Sequence, residues 1–342
     1  MNPELAQYEA LAKEILRRVM AEEEPADVFK FVSEVLLRMG AGEDGAVMTW
    51  EESFDLIDAA IAEYEVLATI PENERRVLSW PWQSWRDRID PLEGGMLGLL
   101  TAPDGQGKTI YGESISEHWA KHKNRVVFVH YELSRKLMMM RRTARHASVL
   151  VRDIKQGTLD IAEKQRIAKI RPTLTAWDGY VSYLHTPGWS MEKTVSELRR
   201  LHNDGQCDVV LLDYLEKAAP SRRQLQMYGT NKYQREADNV EQLKTFAELT
   251  EVPVLMLAQM SKEGKKTSFS TVDRTAIRGA GEKSEKSNLV VMLKRDRIDD
   301  EAGYSNEVNV LVDKNTMGET GTFKQIMQPE YFRVGDIYEE AT

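Results

Sequence analysis

Residues 96–109 read Met-Leu-Gly-Leu-Leu-Thr-Ala-Pro-Asp-Gly-Gln-Gly-Lys-Thr, and the segment after them is compatible with a helix. An apolar run, a short loop of small residues and a helix start, in that order, are the context that a phosphate-binding P-loop requires. In such a loop successive backbone N–H groups converge on phosphate at the helix N-terminus. Gly105 and Gly107 relieve crowding, Lys108 is placed to reach β and γ oxygens, and the Thr109 hydroxyl is placed to ligate Mg²⁺. The expected nucleotide-binding stretch is Ala102, Pro103, Asp104, Gly105, Gln106, Gly107, Lys108 and Thr109. Ala102 stands where the general motif has its first glycine. A chance turn of small residues is the bland alternative, and it leaves the placement of Gly-Lys-Thr between strand and helix unexplained.

With 342 residues and 42% hydrophobic content, the chain suits one large domain or two smaller ones around a sizeable core. Its uninterrupted apolar stretches are of strand length, far short of the ~20 residues of a membrane span, and Met1–Ala10 is too acidic and polar for a signal peptide. A cytoplasmic location without a membrane partner is the expectation. The single cysteine, Cys207, excludes an internal disulfide and a cysteine-based zinc cluster, and before an apolar run it reads as a small semi-buried hydrophobe. A net charge of −9 argues against indiscriminate coating of nucleic acid, although the charges are unevenly spread and leave room for a local basic path.

Residues 1–70 carry helical signals only. Asn2 and Pro3 make a helix start, with Leu5, Tyr8, Leu11, Ile15 and Val19 at helical spacing. Val28, Val32, Val35, Leu36 and Met39 repeat the pattern up to the glycine-rich linker Gly40–Gly45. A capping box of Thr49 and Glu52 opens a third helix, with Phe54, Ile57, Ile61, Tyr64 and Ala68 on one face. This module either packs on its neighbour or meets a partner. From residue 89 the texture changes to short apolar runs at 96–101, 125–131, 181–184, 209–212, 254–258, 289–293 and 308–312, the first five separated by helical segments. That alternation predicts an α/β fold with a mostly parallel sheet covered on both faces, binding ligands at the carboxyl ends of its strands. The expected division is 1–80 helical region, 81–95 linker and 96–342 nucleotide-binding domain. Trp80, Trp82 and Trp85 read as packing near the linker, with base stacking as the alternative.

Three further groups fall at strand ends. Asp213 closes the run Val209–Leu212 as a Walker B carboxylate would, suited to the Mg²⁺ shell. Glu132 follows the second run and is suited to polarising an attacking water, or to capping the helix that begins near Ser134. Gln259 ends the fifth run, suited to sensing a γ-phosphate, or a solvated polar end.

The order and spacing of these motifs resemble the C-terminal motor domain of the DnaB family of hexameric replicative helicases, within the RecA-like ATPases. That family's P-loop reads Ala-x-Pro-x-x-Gly-Lys-Thr, an alanine-first, proline-containing loop like the one at Ala102 and Pro103. His130-Tyr-Glu-Leu-Ser134 with Met138–Arg142 is similar to its Ser-Leu-Glu-Met stretch and the Met-Met-Arg after it. Leu212-Asp-Tyr-Leu215 is similar to its Ile-Asp-Tyr-Leu, Leu257-Ala-Gln-Met260 to its Leu-Ser-Gln-Leu, and Ile277-Arg278 to its Leu-Arg. The likeness spans residues 89–335, and residues 1–80 show no convincing match to the family's N-terminal helical domain.

The resemblance implies a RecA-like P-loop NTPase core using ATP and Mg²⁺, preceded by a small all-α region. It implies a homo-oligomeric ring, a hexamer by the family, acting on single-stranded DNA with a helicase loader or primase as partner, and of phage or plasmid type given the reduced N-terminal region. Where the family ends its motor with Lys-x-Arg-x-Gly, Lys314 is kept and Thr316 replaces the arginine. Lys314 then acts in a neighbouring subunit's site or makes an ordinary ion pair, with Arg295 or Arg297 as substitute cations. The family's glutamate-rich stretch is altered to Glu282–Lys286. Loops after the strands face the centre of such a ring, so Lys262, Lys265, Lys266, Arg274 and Arg278, with the insertion Arg222–Arg235, are the expected path of a single strand. A filament-forming recombination ATPase and a nucleotide-gated assembly or loading ATPase are the other readings. Rings against open helices separate the first of these from the translocase, and hydrolysis insensitive to DNA marks the second.

Overall fold

The computed structural model describes residues 3–21, 23–24, 27–28, 31–32, 35, 50–71, 76–177, 179–260, 281–299 and 303–337. The stretch Gly40–Gly45, Thr49, and the basic residues Lys262, Lys265, Lys266, Arg274 and Arg278 lie outside the described residues. The chain divides into two compact units, Met1–Arg76 and Val77–Thr342. In the first, α1 spans Pro3–Met20 and α2 spans Trp50–Thr69. Pro3 opens α1, where its missing N–H costs nothing, and Glu14 accepts from Arg17 at 2.7 Å and Arg18 at 3.0 Å across neighbouring turns. On α2 the apolar face of Phe54, Ile57, Ile61 and Tyr64 is more than half exposed.

In the second unit the chain runs through α3 (Gln83–Arg86), β1 (Leu97–Ala102), α4 (Lys108–Lys121), β2 (Val126–His130), α5 (Arg135–Ala147), α6 (Val151–Gln156), α7 (Ile161–Ala176) and β3 (Val181–His185). It continues through α8 (Met191–Asn203), β4 (Val209–Asp213), α9 (Arg222–Tyr228), α10 (Lys232–Thr250), β5 (Val254–Gln259), α11 (Gly281–Lys286) and β6 (Leu289–Lys294). Strands β7 (Arg297–Asp299), β8 (Gly303–Tyr304), β9 (Glu307–Asn315), β10 (Gly321–Gln328) and β11 (Arg333–Asp336) complete it. One nine-stranded sheet has the order β11-β10-β9-β6-β1-β5-β4-β2-β3. Its six strands from β6 to β3 are parallel, and β9, β10 and β11 extend the β6 edge antiparallel. The seven expected strands are all present; β10, β11 and the separate β7–β8 ladder are additions to them.

The parallel strands form because their apolar runs can be buried on both faces. Alternate residues feed two cores. Leu100, Phe128, Leu211 and Leu257 pack with Ile115 and Trp119 of α4 on one face. Leu99, Val127, Val210 and Met256 pack with Leu198 of α8 and Phe246 of α10 on the other. Each such side chain contributes about 1.5–3 kcal/mol by leaving water. Gly112 lets α4 press onto the sheet: a Cβ there would lie 2.9 Å from Leu257 Cδ1 and 3.2 Å from Leu211 Cδ2.

The stretch expected as a linker packs inside the second unit. Trp80 and Trp85 are 0% and 1% exposed, which removes the base-stacking alternative. Their indole N–H groups donate to Asp90 O at 3.0 Å and Gln325 Oε1 at 2.9 Å, and Trp82 donates to Val334 O at 2.9 Å. Strands β10 and β11 therefore hold Trp82 and Trp85, and Ser79, whose carbonyl accepts from Trp119 Nε1 of α4 at 2.7 Å, ties the residues before them to the same unit, which begins at Val77. Cys207 is buried, and burial pushes its thiol up to about 12, as suits a small hydrophobe.

Candidate nucleotide site

Chain order and sheet order differ most around β1, which lies between β5 and β6 while the next strand in sequence, β2, lies three places away, beyond β5 and β4. Ligands bind at the carboxyl ends of such strands. There a cavity of about 570 Å³ is lined by Asp104, Gly105, Gly107, Lys108 and Thr109 from the loop, and by Glu132, Asp213 and Gln259 from three other strand ends.

The loop is built for backbone donors. Gly107 is the N-cap of α4 at φ 97° without a side-chain cap, and Gly105 sits at φ 73°, conformations that glycine adopts without strain. Lys108 is buried and donates from Nζ to Ala102 O at 3.0 Å and Pro103 O at 3.4 Å. Ala102 and Pro103 thus hold the lysine. Gln106 turns away to brace the loop, its Oε1 accepting the Arg295 N–H at 2.8 Å.

Asp213 is 5% exposed, and its Oδ2 accepts from Thr109 Oγ1 at 2.8 Å while Oδ1 has no hydrogen-bond partner among the described residues. Burial raises its pKa to about 6, with the charge of Glu113 adding and the Thr109 hydrogen bond and Lys108 opposing. A buried, orphaned carboxylate oxygen beside a hydroxyl is a fitting donor set for a hard divalent cation. Glu132 follows β2 with a half-exposed side chain, 3.7 Å from Lys217 Nζ. The cap of α5 is Ser134, which accepts from Leu137 N at 3.3 Å. Gln259 lies opposite Ala102 in the β1–β5 register, and its backbone N–H donates to Glu216 Oε1 at 3.1 Å.

Other lining groups escaped the sequence reading. Arg141 lies 3.8 Å from Glu113 Oε1 and stacks over Phe332 at 4.9 Å; the motif Met138–Arg142 contained it without marking it. His130 is stacked on His185 with centroids 4.8 Å apart, and burial lowers its pKa to about 4. Met327 comes from the end of β10, and Pro329 and Phe332 from the 3-10 turn that joins it to β11, a region whose weak apolar pattern gave no signal. Arg295, expected as a substitute cation for a neighbour's site, instead lines this chain's own cavity, with its guanidinium turned to Ser305 O at 2.6 Å. Lys314 is not among the lining residues; it donates to Glu285 O at 2.9 Å and Ser284 O at 3.4 Å. Among the described residues no group of three His, Cys, Asp or Glu could hold a metal by itself, and no helix is long and apolar enough to cross a membrane.

A P-loop opening the central helix of a mainly parallel sheet, with carboxylates on neighbouring strand ends, defines a RecA-like P-loop ATPase core. The profile of the DnaB-like helicase C terminal domain matches residues 86–336, and the chain belongs to that family. Among curated relatives, the replicative DNA helicase DnaC of Bacillus subtilis (strain 168) is 23% identical over 235 residues, 68% of this chain and 50% of the relative. The replicative DNA helicase DnaB of Leifsonia xyli subsp. xyli is 23% identical over 248 residues, 72% of this chain and 53% of the relative. The chain spans about half the length of these relatives. Among solved structures, the ATPase domain of G40P superposes with a TM-score of 0.70 at 19% identity, covering 83% of this chain and 99% of that one. A DnaB-like replicative helicase, solved in a study of its interactions with primase, superposes with a TM-score of 0.73 at 17% identity, covering 98% and 76%. These likenesses show the fold.

Proposed function

We propose that this chain is the motor of an ATP-hydrolysing ring translocase on single-stranded DNA, a replicative helicase of the cytoplasm. The supporting observation is the cavity that Lys108, Thr109, Asp213, Glu132 and Gln259 line together. The triphosphate would lie along residues 102–109, with the N–H groups opening α4 and the Lys108 ammonium against its β and γ oxygens. Thr109 and Asp213 would hold Mg²⁺, which when bound neutralises charge on the β- and γ-phosphates. Glu132, free of a capping role, orients and deprotonates the attacking water. The side chain of Gln259 registers the γ-phosphate. Lys314 serves a neighbouring subunit in a six-membered ring, Lys262, Lys265, Lys266, Arg274 and Arg278 follow the strand's phosphates, and a primase or loader is the further partner.

The test is steady-state ATP hydrolysis with and without a single-stranded oligonucleotide, paired with electron micrographs. DNA-stimulated turnover that Lys108→Ala abolishes, by rings, is the expected result. Turnover near wild type in Lys108→Ala rejects the P-loop assignment. Slow hydrolysis indifferent to DNA points to a nucleotide-gated assembly protein, and open helices point to a filament.

A further inference from the structure

The turn after β4 closes a gap that β4 itself leaves. The β4–β5 ladder ends at the pair Asp213–Leu257, while the β1–β5 ladder continues to Ala102–Gln259. Met260 N–H goes to Ala102 O at 3.1 Å on the β1 side. Because N–H groups alternate along a strand, that of Gln259 points to the opposite side, which β4 has vacated. Residues Leu215–Lys217 form a 3-10 turn at this place. Glu216 Oε1 accepts the Gln259 N–H at 3.1 Å and also the Lys283 ammonium. Both side chains are buried, 8% exposed for Glu216 and 6% for Lys283, and Lys283 reaches Glu236 Oε2 at 2.8 Å as well.

A buried ion pair is a weak source of stability, because desolvation offsets most of the attraction and apolar replacements are often neutral or better. An apolar pair could not, however, offer an acceptor to Gln259. The carboxylate does, and the Lys283 ammonium beside it balances its charge away from water. We propose that Glu216 is a positioning residue for hydrolysis: balanced by Lys283, it stands in for the missing strand and fixes the backbone of Gln259 so that its side chain stays in the nucleotide cavity. The proposal rests on the hydrolytic reading above, since Glu216 acts through Gln259.

Two double variants separate this role from a structural one. Glu216→Gln with Lys283→Met removes both charges and keeps a side-chain oxygen for the Gln259 N–H. Glu216→Leu with Lys283→Met removes the charges and the acceptor, and Glu236 retains Lys232 at 3.4 Å in both. A merely structural pair predicts that the two variants behave alike. Positioning predicts wild-type kcat in the first, and in the second a kcat lowered about ten- to a hundredfold with KM for ATP little changed. Amide exchange at Gln259, read by fragment-resolved mass spectrometry, should lose protection only in the second. Glu216→Ala in the Lys283→Met background makes the same prediction if the leucine variant does not fold. Equal kcat in the two double variants of an active enzyme overturns the proposal, as does equal protection at Gln259. A wild-type protein that hydrolyses no ATP fails the functional reading itself, and does so before any variant is made.

Discussion

The hydroxyl of Thr109, in the first turn of α4, donates to Asp213 Oδ2 at 2.8 Å, so the P-loop helix and the end of β4 meet through one hydrogen bond. Burial lifts the Asp213 pKa from 3.8 to about 6, so over that interval the folded protein holds a proton that the unfolded chain has released. Stability from this group is complete below pH 3.8 and is lost as pH rises through about 6, a difference on the order of 3 kcal/mol at most. Asp213→Asn should therefore melt higher than wild type at neutral pH, the gain vanishing in acid, while Mg²⁺-dependent hydrolysis is lost. A lower melting temperature at neutral pH would show that burial does not govern this carboxyl.

Gly107 is fixed by two constraints. It sits at φ 97°, and a Cβ on it would lie 2.3 Å from Met327 Cε. Gly107→Ala should weaken nucleotide binding and cost roughly 1–3 kcal/mol of stability. Adding Met327→Ala relieves the collision but leaves the backbone strain and empties a buried site at a further cost of about 2–5 kcal/mol, so the double variant should recover nucleotide binding in part and none of the lost stability. Thermal melts and nucleotide titrations check both, and full recovery of binding would mean that the backbone conformation costs nothing.

Glu132→Gln should retain nucleotide binding and lose hydrolysis, because the amide keeps the shape and cannot take a proton. Its contact with Lys217 is half-exposed at 3.7 Å, a pair worth about 0–1 kcal/mol, and Ser134 caps the helix that follows. The melting temperature should stay close to wild type. Binding lost together with hydrolysis would make Glu132 a structural residue.

Much of this site was legible because its chemistry is local in sequence. The loop 102–109 carries its own strand and helix context, and Asp213 and Gln259 each end an apolar run buried on both faces. Glu132 was read as either base or cap, and only the Ser134 hydroxyl in the cap position removes the second role. What sequence could not show are pairings between distant, individually ordinary residues. Gln106 braces against Arg295 across 189 positions, and Glu216 meets Lys283 across 67. Strand β10 buries only part of one face, so Gly321–Gln328 lacks the apolar run that marked the others. The tryptophan segment looked like a linker for a related reason: its partners Gln325 and Val334 lie at the far end of the chain.

Lys314 has two roles that one pair of measurements separates. Within the chain its ammonium donates to the carbonyls of Glu285 at 2.9 Å and Ser284 at 3.4 Å, near the end of α11. A cation beside helix-end carbonyls is worth about 0.3–1 kcal/mol, so a purely local role predicts a slightly lower melting temperature for Lys314→Ala with hydrolysis intact. In a neighbour's site it would stabilise charge developing on the γ-phosphoryl group and make hydrolysis depend on assembly. That role predicts that Lys314→Ala and Lys108→Ala are each nearly inactive alone. Mixed, they should recover part of the activity, since some interfaces would join an intact P-loop to an intact Lys314 from the other subunit. Recovery in a co-assembled mixture supports the second role whatever the melting shift. Full activity of Lys314→Ala alone, or no recovery in a mixture shown to co-assemble, leaves Lys314 as a helix-end contact and turns the search for a trans cation to Arg297, since Arg295 is buried in this chain's own cavity.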